Sequence, residues 1–365
     1  MGALCVACVP VAAAASSWAP ASSRPAGTTC SPQSTAAHTA VPSQPSNESG
    51  RCTTPGVDRH REWRMNPPDG PMGDTMATTG HRCAAFLLIC AALAHAATHV
   101  PRFSVHELVF QGPSRTPSDR PAADIELYSE WEHEDGQTRY RIHGFWDGDG
   151  AGGTVGGVFK VRFCPTREGT WTLVNTHSNN TRLNDQLEGT QVLCTPSDNH
   201  GFWETEGLWF RRSDSTYQYV LGNVHYCLVS VDSRLHDIRA NKDYYKKLRF
   251  MVQGFGLCEG PHPFFNSTGS GSSSGTDASR PNPAYFARID EMIREGLRYD
   301  LIIDMYTDPQ NHAIEQPGYL RYLAARFGSF PNVWLQISIE WNEKYSAGET
   351  ADLGAELRSY LPYPT

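Results

Sequence analysis

The stretch "PNVWLQISIEWNEK" (Pro331–Lys344) decides the fold. Val333 to Ile339 is a run of apolar and β-prone residues, as expected of a buried strand, and it ends abruptly in Glu340-Trp341-Asn342-Glu343. Two carboxylates and an indole therefore stand where a buried strand should come out into solvent.

The neighbours of this run set its context. "GYLRYLAARFGSF" predicts a helix ended by Gly328, and "TADLGAELRSYL" a helix with Thr350 as cap. "YDLIIDMYTD" and "KKLRFMVQGFG" predict strands, and "YQYVLGNVHYCLVSV" (Tyr217–Val231) a strand pair or one long strand. "NPAYFARIDEMIREGL" predicts an amphipathic helix with Asn282 as cap, Pro283 in the first turn, and Tyr285, Ile289, Met292, Ile293 and Leu297 on one face. Strands alternating with helices imply a parallel sheet. "NSTGSGSSSGTDASRPNP" reads as a flexible insertion without chemistry. Tyr217–Thr365 holds four strand–helix units in about 150 residues, whereas a closed (β/α)8 barrel takes about 250. The expectation is a smaller open α/β sheet or the first half of a TIM barrel.

Upstream, from about Val105 to Ser197, short runs rich in β-branched and aromatic residues alternate with turn signals such as Asp135-Gly136 and Glu168-Gly169. This spacing predicts an antiparallel β-sandwich. "DGDG" (Asp147–Gly150) lacks the remaining positions of a calcium loop and reads as a tight turn.

The first 75 residues are rich in Ala, Ser, Thr and Pro without period, and are expected to be disordered, either as a mis-assigned start or as a genuine tail. Residues 76–96 have the layout of a secretory signal peptide: Met76, Arg82, an apolar run from Cys83 to Leu93, and Ala94-His95-Ala96. The expected organisation is an extension (1–75), a signal peptide (76–96), a β-sandwich (100–197) and an incomplete barrel (198–365), in a secreted, extracellular protein. Of ten cysteines, Cys164, Cys194, Cys227 and Cys258 fall in the expected mature chain, and a Cys164–Cys194 disulfide is expected because each ends a predicted strand of the sandwich. Asn179-Asn180-Thr181 and Asn266-Ser267-Thr268 are glycosylation sequons, relevant to an exported chain. No Cys/His spacing suggests zinc, and no metal or cofactor is expected. A formal charge of −8 without a basic stripe argues against nucleic acid and against a polybasic membrane anchor.

The order of these pieces resembles a known family. "GFWDGDG", "FKVRFCPTREGTWT" and "CTPSDNHGFWETEGLWFRRSDSTYQYVLGNVHY" are similar to the β-sandwich that precedes the barrel in apiosidase-like glycoside hydrolases. "NPAYFARIDEMIREGLRYDLIIDMYTDP" and "GYLRYLAARFGSFPNVWLQISIEWNEK" resemble that family's barrel helices with its third and fourth strands. The resemblance implies carbohydrate as partner and Glu340 as general acid/base, because strand four of such retaining enzymes ends in Asn-Glu; here Ile339 replaces the Asn. Glu343, in Asn342-Glu343, is a second candidate acid. Trp341 would form a wall or sugar platform, and His225, Tyr226 and Asp308 would line the sugar site. Core packing for His225 and Tyr226, and a cap or turn role for Asp308, are the competing readings. The chemistry is consistent: a glycosidic oxygen is a poor leaving group, and a carboxylic acid at a strand end in a partly apolar cleft can protonate it. The resemblance also implies a nucleophile from strand seven, so the chain is expected to be incomplete and inactive as given. The rival expectations are a carbohydrate-binding pseudo-enzyme presenting Trp146, Trp203 and Trp341, and an adhesive β-protein.

Overall fold

A computed structural model describes residues 97–364 apart from 253–257, 259, 272–276, 309–315 and 339. The expected extension, the signal peptide and Ile339 lie outside the described residues.

The first layer is one seven-stranded sheet, in the order β1 (Thr98–Pro101), β7 (Gln191–Thr195), β6 (Gly169–Ser178), β3 (Leu127–His133), β4 (Arg139–Trp146), β5 (Gly156–Phe163), β2 (His106–Arg115). A short helix, α1 (Pro121–Asp124), joins β2 to β3. Alternation explains the layer: in β3, Leu127, Ser129, Trp131 and His133 are buried and the residues between them half-buried. All strands feed one core built on Phe110, Trp131, Phe159, Trp171 and Val192. The sheet is mixed and not purely antiparallel, because β1 runs parallel to β7. The expected tight turn after β4 is present. Asp149 Oδ1 accepts from the Ala151 and Gly153 amides, and Gly148 has φ 62°, where a Cβ would meet the Gly153 carbonyl at 1.8 Å.

A hairpin of β8 (Trp203–Glu206) and β9 (Trp209–Arg212) leads into a four-stranded, all-parallel sheet. Its order follows the chain: β10 (Gly222–Val224), β11 (Lys247–Met251), β12 (Ile302–Asp308), β13 (Val333–Ser338). Helices α2 (Arg234–Asn241), α3 (Pro283–Leu297) and α4 (Tyr319–Phe327) make the connections, and α5 (Ala347–Ser359) follows β13. In α3 Asn282 caps the Ala284 amide, and four of the five predicted face residues are buried, with Leu297 half-buried. The cap of α5 is Ser346, in a reciprocal pair with Glu349, and not Thr350.

The expected Cys164–Cys194 disulfide does not form: both are buried free thiols, and the bridge joins Cys227 to Cys258. Cys227 and Cys258 follow neighbouring parallel strands and are joined there. Cys164 and Cys194 share the core of the first sheet, where Cys194 Sγ lies 4.0 Å from the Pro165 carbonyl, and both remain thiols. Burial pushes the Cys164 thiol well above its usual range and raises Cys194 to about 11, so both stay protonated.

Candidate functional site

The carboxyl ends of the parallel strands meet at one rim, the place where such sheets hold ligands. Glu340 lies just past β13, exposed, with φ 50° and ψ 40°. That left-handed conformation is unfavourable for a residue with a Cβ, and such outliers concentrate at functional sites. It turns the chain into a one-turn helix, Trp341–Glu343, in which Trp341 is half-buried while Asn342 and Glu343 are exposed.

Tyr306 connects the strands of this rim. Its residue is 1% exposed on β12, its ring meets that of Tyr226 edge-on at 6.0 Å, and its hydroxyl is raised by burial, by Tyr226 and by the negative charge of Glu340, against the Arg249 cation. Tyr226 holds its place by extending the ladder beyond β10: its carbonyl accepts from the Met251 amide at 3.1 Å. Tyr226, Tyr306 and Glu340 thus come together. His225 does not join them. It turns to α2, where its Nδ1 lies 3.4 Å from Asp237 Oδ2. Asp308 pairs through its backbone with Ser338 at the ends of β12 and β13. Trp146 and Trp203, expected as exposed aromatics, are 2% and 1% exposed.

Beneath the rim lies a charged layer that the sequence reading missed. Asp304 is fully buried; its Oδ2 receives Lys247 Nζ at 2.8 Å, Arg249 Nε at 2.9 Å and Gln336 Nε2 at 3.2 Å. Two cations face one carboxylate, so the layer carries a positive excess. Asp304 Oδ1 and Trp334 Nε1 are buried and lack hydrogen-bond partners among the described residues. The available signal was the alternation Lys247-Leu248-Arg249-Phe250, which puts both cations on one face of a strand. The Cys227–Cys258 bridge ties the turns after β10 and β11 together at this same rim. Among the described residues no cluster has the make-up of a metal site.

Residues 99–178 match a family model described as a domain of unknown function (DUF5060). No curated protein matches the chain. Among solved structures, the chain is similar to a Bacteroides vulgatus protein provisionally described as a glycoside hydrolase, with 22% identity and a TM-score of 0.59 over 73% of this chain and 54% of that one. It is more distantly similar to a family 5 glycoside hydrolase from the same organism, at 17% identity and a TM-score of 0.35 over 46% of this chain and 38% of that one. The chain spans about half the length of the first of these, and at this identity the likeness is one of fold.

Proposed function

We propose that the chain carries a β-sandwich followed by the first half of a (β/α)8 glycoside hydrolase barrel of the apiosidase-like type, acting on polysaccharide outside the cell. The observation that supports this most is the left-handed backbone of Glu340 at the end of the fourth parallel strand, beside Tyr306 and Tyr226. Glu340 serves as the general acid that protonates the departing glycosidic oxygen and then as the base that activates water. Tyr226 and Trp341 offer aromatic faces to the sugar, with Asn342, Glu343 and Asp308 around them; His225, paired with Asp237, positions the turn that carries Tyr226. Retaining hydrolysis needs a second carboxylate about 5–5.5 Å from the first. In this reading it comes from outside the four strands. Export through residues 76–96 agrees with the Cys227–Cys258 bridge, a bond kept in oxidising compartments.

The test is kinetic. In a protein carrying a complete barrel, Glu340→Gln should slow hydrolysis of unactivated glycosides by roughly 10²–10⁴-fold. Aryl glycosides with good leaving groups need little proton assistance and should lose far less. Equal losses on both substrates would remove Glu340 from the acid role. A completed barrel that binds oligosaccharide but never cleaves it would favour a carbohydrate-binding pseudo-glycosidase, the reading that the replacement of Asn by Ile339 supports.

A further inference from the structure

The β8–β9 hairpin has two chemically different faces. Trp203 and Phe210 turn inward and pack with Ile302 and Trp334 at the start of the parallel strands. Residues of the other parity face outward. An antiparallel bridge between Arg211 and Tyr217 adds the following segment as a third extended stretch. Trp209 and Tyr219 flank that bridge and line the same groove. The β8–β9 register sets Glu206 across from Trp209 and Glu204 across from Arg211. Trp209 is 71% and Tyr219 81% exposed, and with Tyr217 they line a shallow groove of about 310 Å³. Arg211 donates to Glu204 at 3.0 Å and lies 3.8 Å from Glu206, which also receives the Tyr217 hydroxyl. This face sits at the amino end of the parallel sheet, opposite the Glu340 rim.

We propose that this face is a separate glycan-binding site that takes a neutral polysaccharide chain side-on. A pyranose ring presents an apolar C–H face and a rim of hydroxyls. Trp209 and Tyr219 supply surface for the first, rigid and cheap to order. The Glu204–Arg211–Glu206 set and the Tyr217 hydroxyl supply acceptors and donors already held in place for the second. The groove is lined by residues 208–210 and 217–220, and the register places Glu206 across from Trp209 and Arg211 two residues on, so hydroxyl-binding groups flank the rings along the same face. Two carboxylates against one guanidinium leave a net negative charge, which disfavours uronate or sulfated chains. The groove is shallow, and its size falls at the lower end of the ligand-site range of ~300–1,000 Å³. None of this depends on the chemistry at Glu340.

The 365-residue chain should be tested by affinity electrophoresis in gels containing hydroxyethylcellulose, galactomannan or arabinoxylan, with carboxymethylcellulose as the anionic counterpart. At least one neutral polymer should retard the protein and carboxymethylcellulose should not. Trp209→Ala and Tyr219→Ala should each weaken the retardation at least about ten-fold, with an unchanged melting temperature, since both side chains are exposed. Glu204→Gln combined with Glu206→Gln should admit carboxymethylcellulose. The proposal is overturned if no neutral polymer retards the wild-type chain, or if Trp209→Ala and Tyr219→Ala migrate as it does. It is overturned equally by a concentration-dependent dimer that Trp209→Ala disperses, which would make the face a protein contact.

Discussion

Glu340 occupies a backbone region that costs a residue with a Cβ about 1–2 kcal/mol. Glycine would relieve that strain while losing about 0.5–1 kcal/mol more chain entropy on folding. Glu340→Gly is therefore expected to be about 0.5–1 kcal/mol more stable than Glu340→Ala in urea denaturation, both variants lacking the proposed acid. Equal stability of the two would show that the left-handed backbone is not strained. His143 on β4 makes a pH-dependent case. Burial, with smaller help from Arg321 and Arg141, lowers it to about 4. Its ring packs against Tyr128 and Tyr360. The unfolded chain takes up a proton near pH 6.5, whereas the folded one resists until about 4. The contribution is thus fully present above pH 6.5 and is lost as pH falls toward 4, at most about 3 kcal/mol. His143→Gln should flatten the change in urea midpoint between pH 7 and 4.5 relative to wild type.

At the level of elements, period and caps carried most of the information. The α3 face and the Gly328 stop of α4 were legible because i, i+3, i+4 spacing and a cap glycine are local signals. "YQYVLGNVHYCLVSV" misled for a physical reason. Its first residue is bridged back to Arg211, Gly222–Val224 alone is assigned to the parallel ladder, and Cys227 is drawn aside by its disulfide. Cys227 and Cys258 are 31 residues apart, so breaking the bridge releases chain entropy of about 3–4 kcal/mol. Paired substitution to Ser should lower the urea midpoint by a corresponding amount, and the proteolysis rate should rise first at the turns after β10 and β11. An unchanged midpoint would show that the bridge constrains nothing that the folded strands do not already fix.

For the whole molecule, a buried ion network joins the two sheets. Arg162 on β5 grips both oxygens of Asp290 on α3 at 2.7 Å, and Arg326 on α4 adds a 2.7 Å bond to Asp290 and a 2.8 Å bond to Asp147. Glu107 and Lys160 complete it, at 2.9 Å to Arg162 and 2.7 Å to Asp147, giving three cations against three anions. Despite burial, the two guanidiniums hold the Asp290 carboxyl far below its usual range. Its stabilisation is therefore present above about pH 4 and lost only in stronger acid. Removing one member strands the others, so Asp290→Ala should cost about 3–5 kcal/mol. It should also turn one cooperative unfolding transition into two, followed by Trp131 in the seven-stranded sheet and Trp334 in the parallel one. A variant that still unfolds in a single step would place the coupling in the apolar contacts between Phe145, Phe286 and Tyr322 instead.

By itself the sequence determined the strands and helices from Lys247 onward, that the last strands run parallel, and that an acid stands where the fourth one ends. These are consequences of local periodicity and of short connections, which leave little choice. Tertiary structure alone decided which strand ends share a rim, that Tyr306 stands near Glu340 while His225 turns to Asp237, that Cys227 pairs with Cys258, and that Asp290 is clamped between two arginines. Those partners lie from tens of residues to well over a hundred apart. They meet through the packing of whole layers, for which no local pattern of residues carries a record.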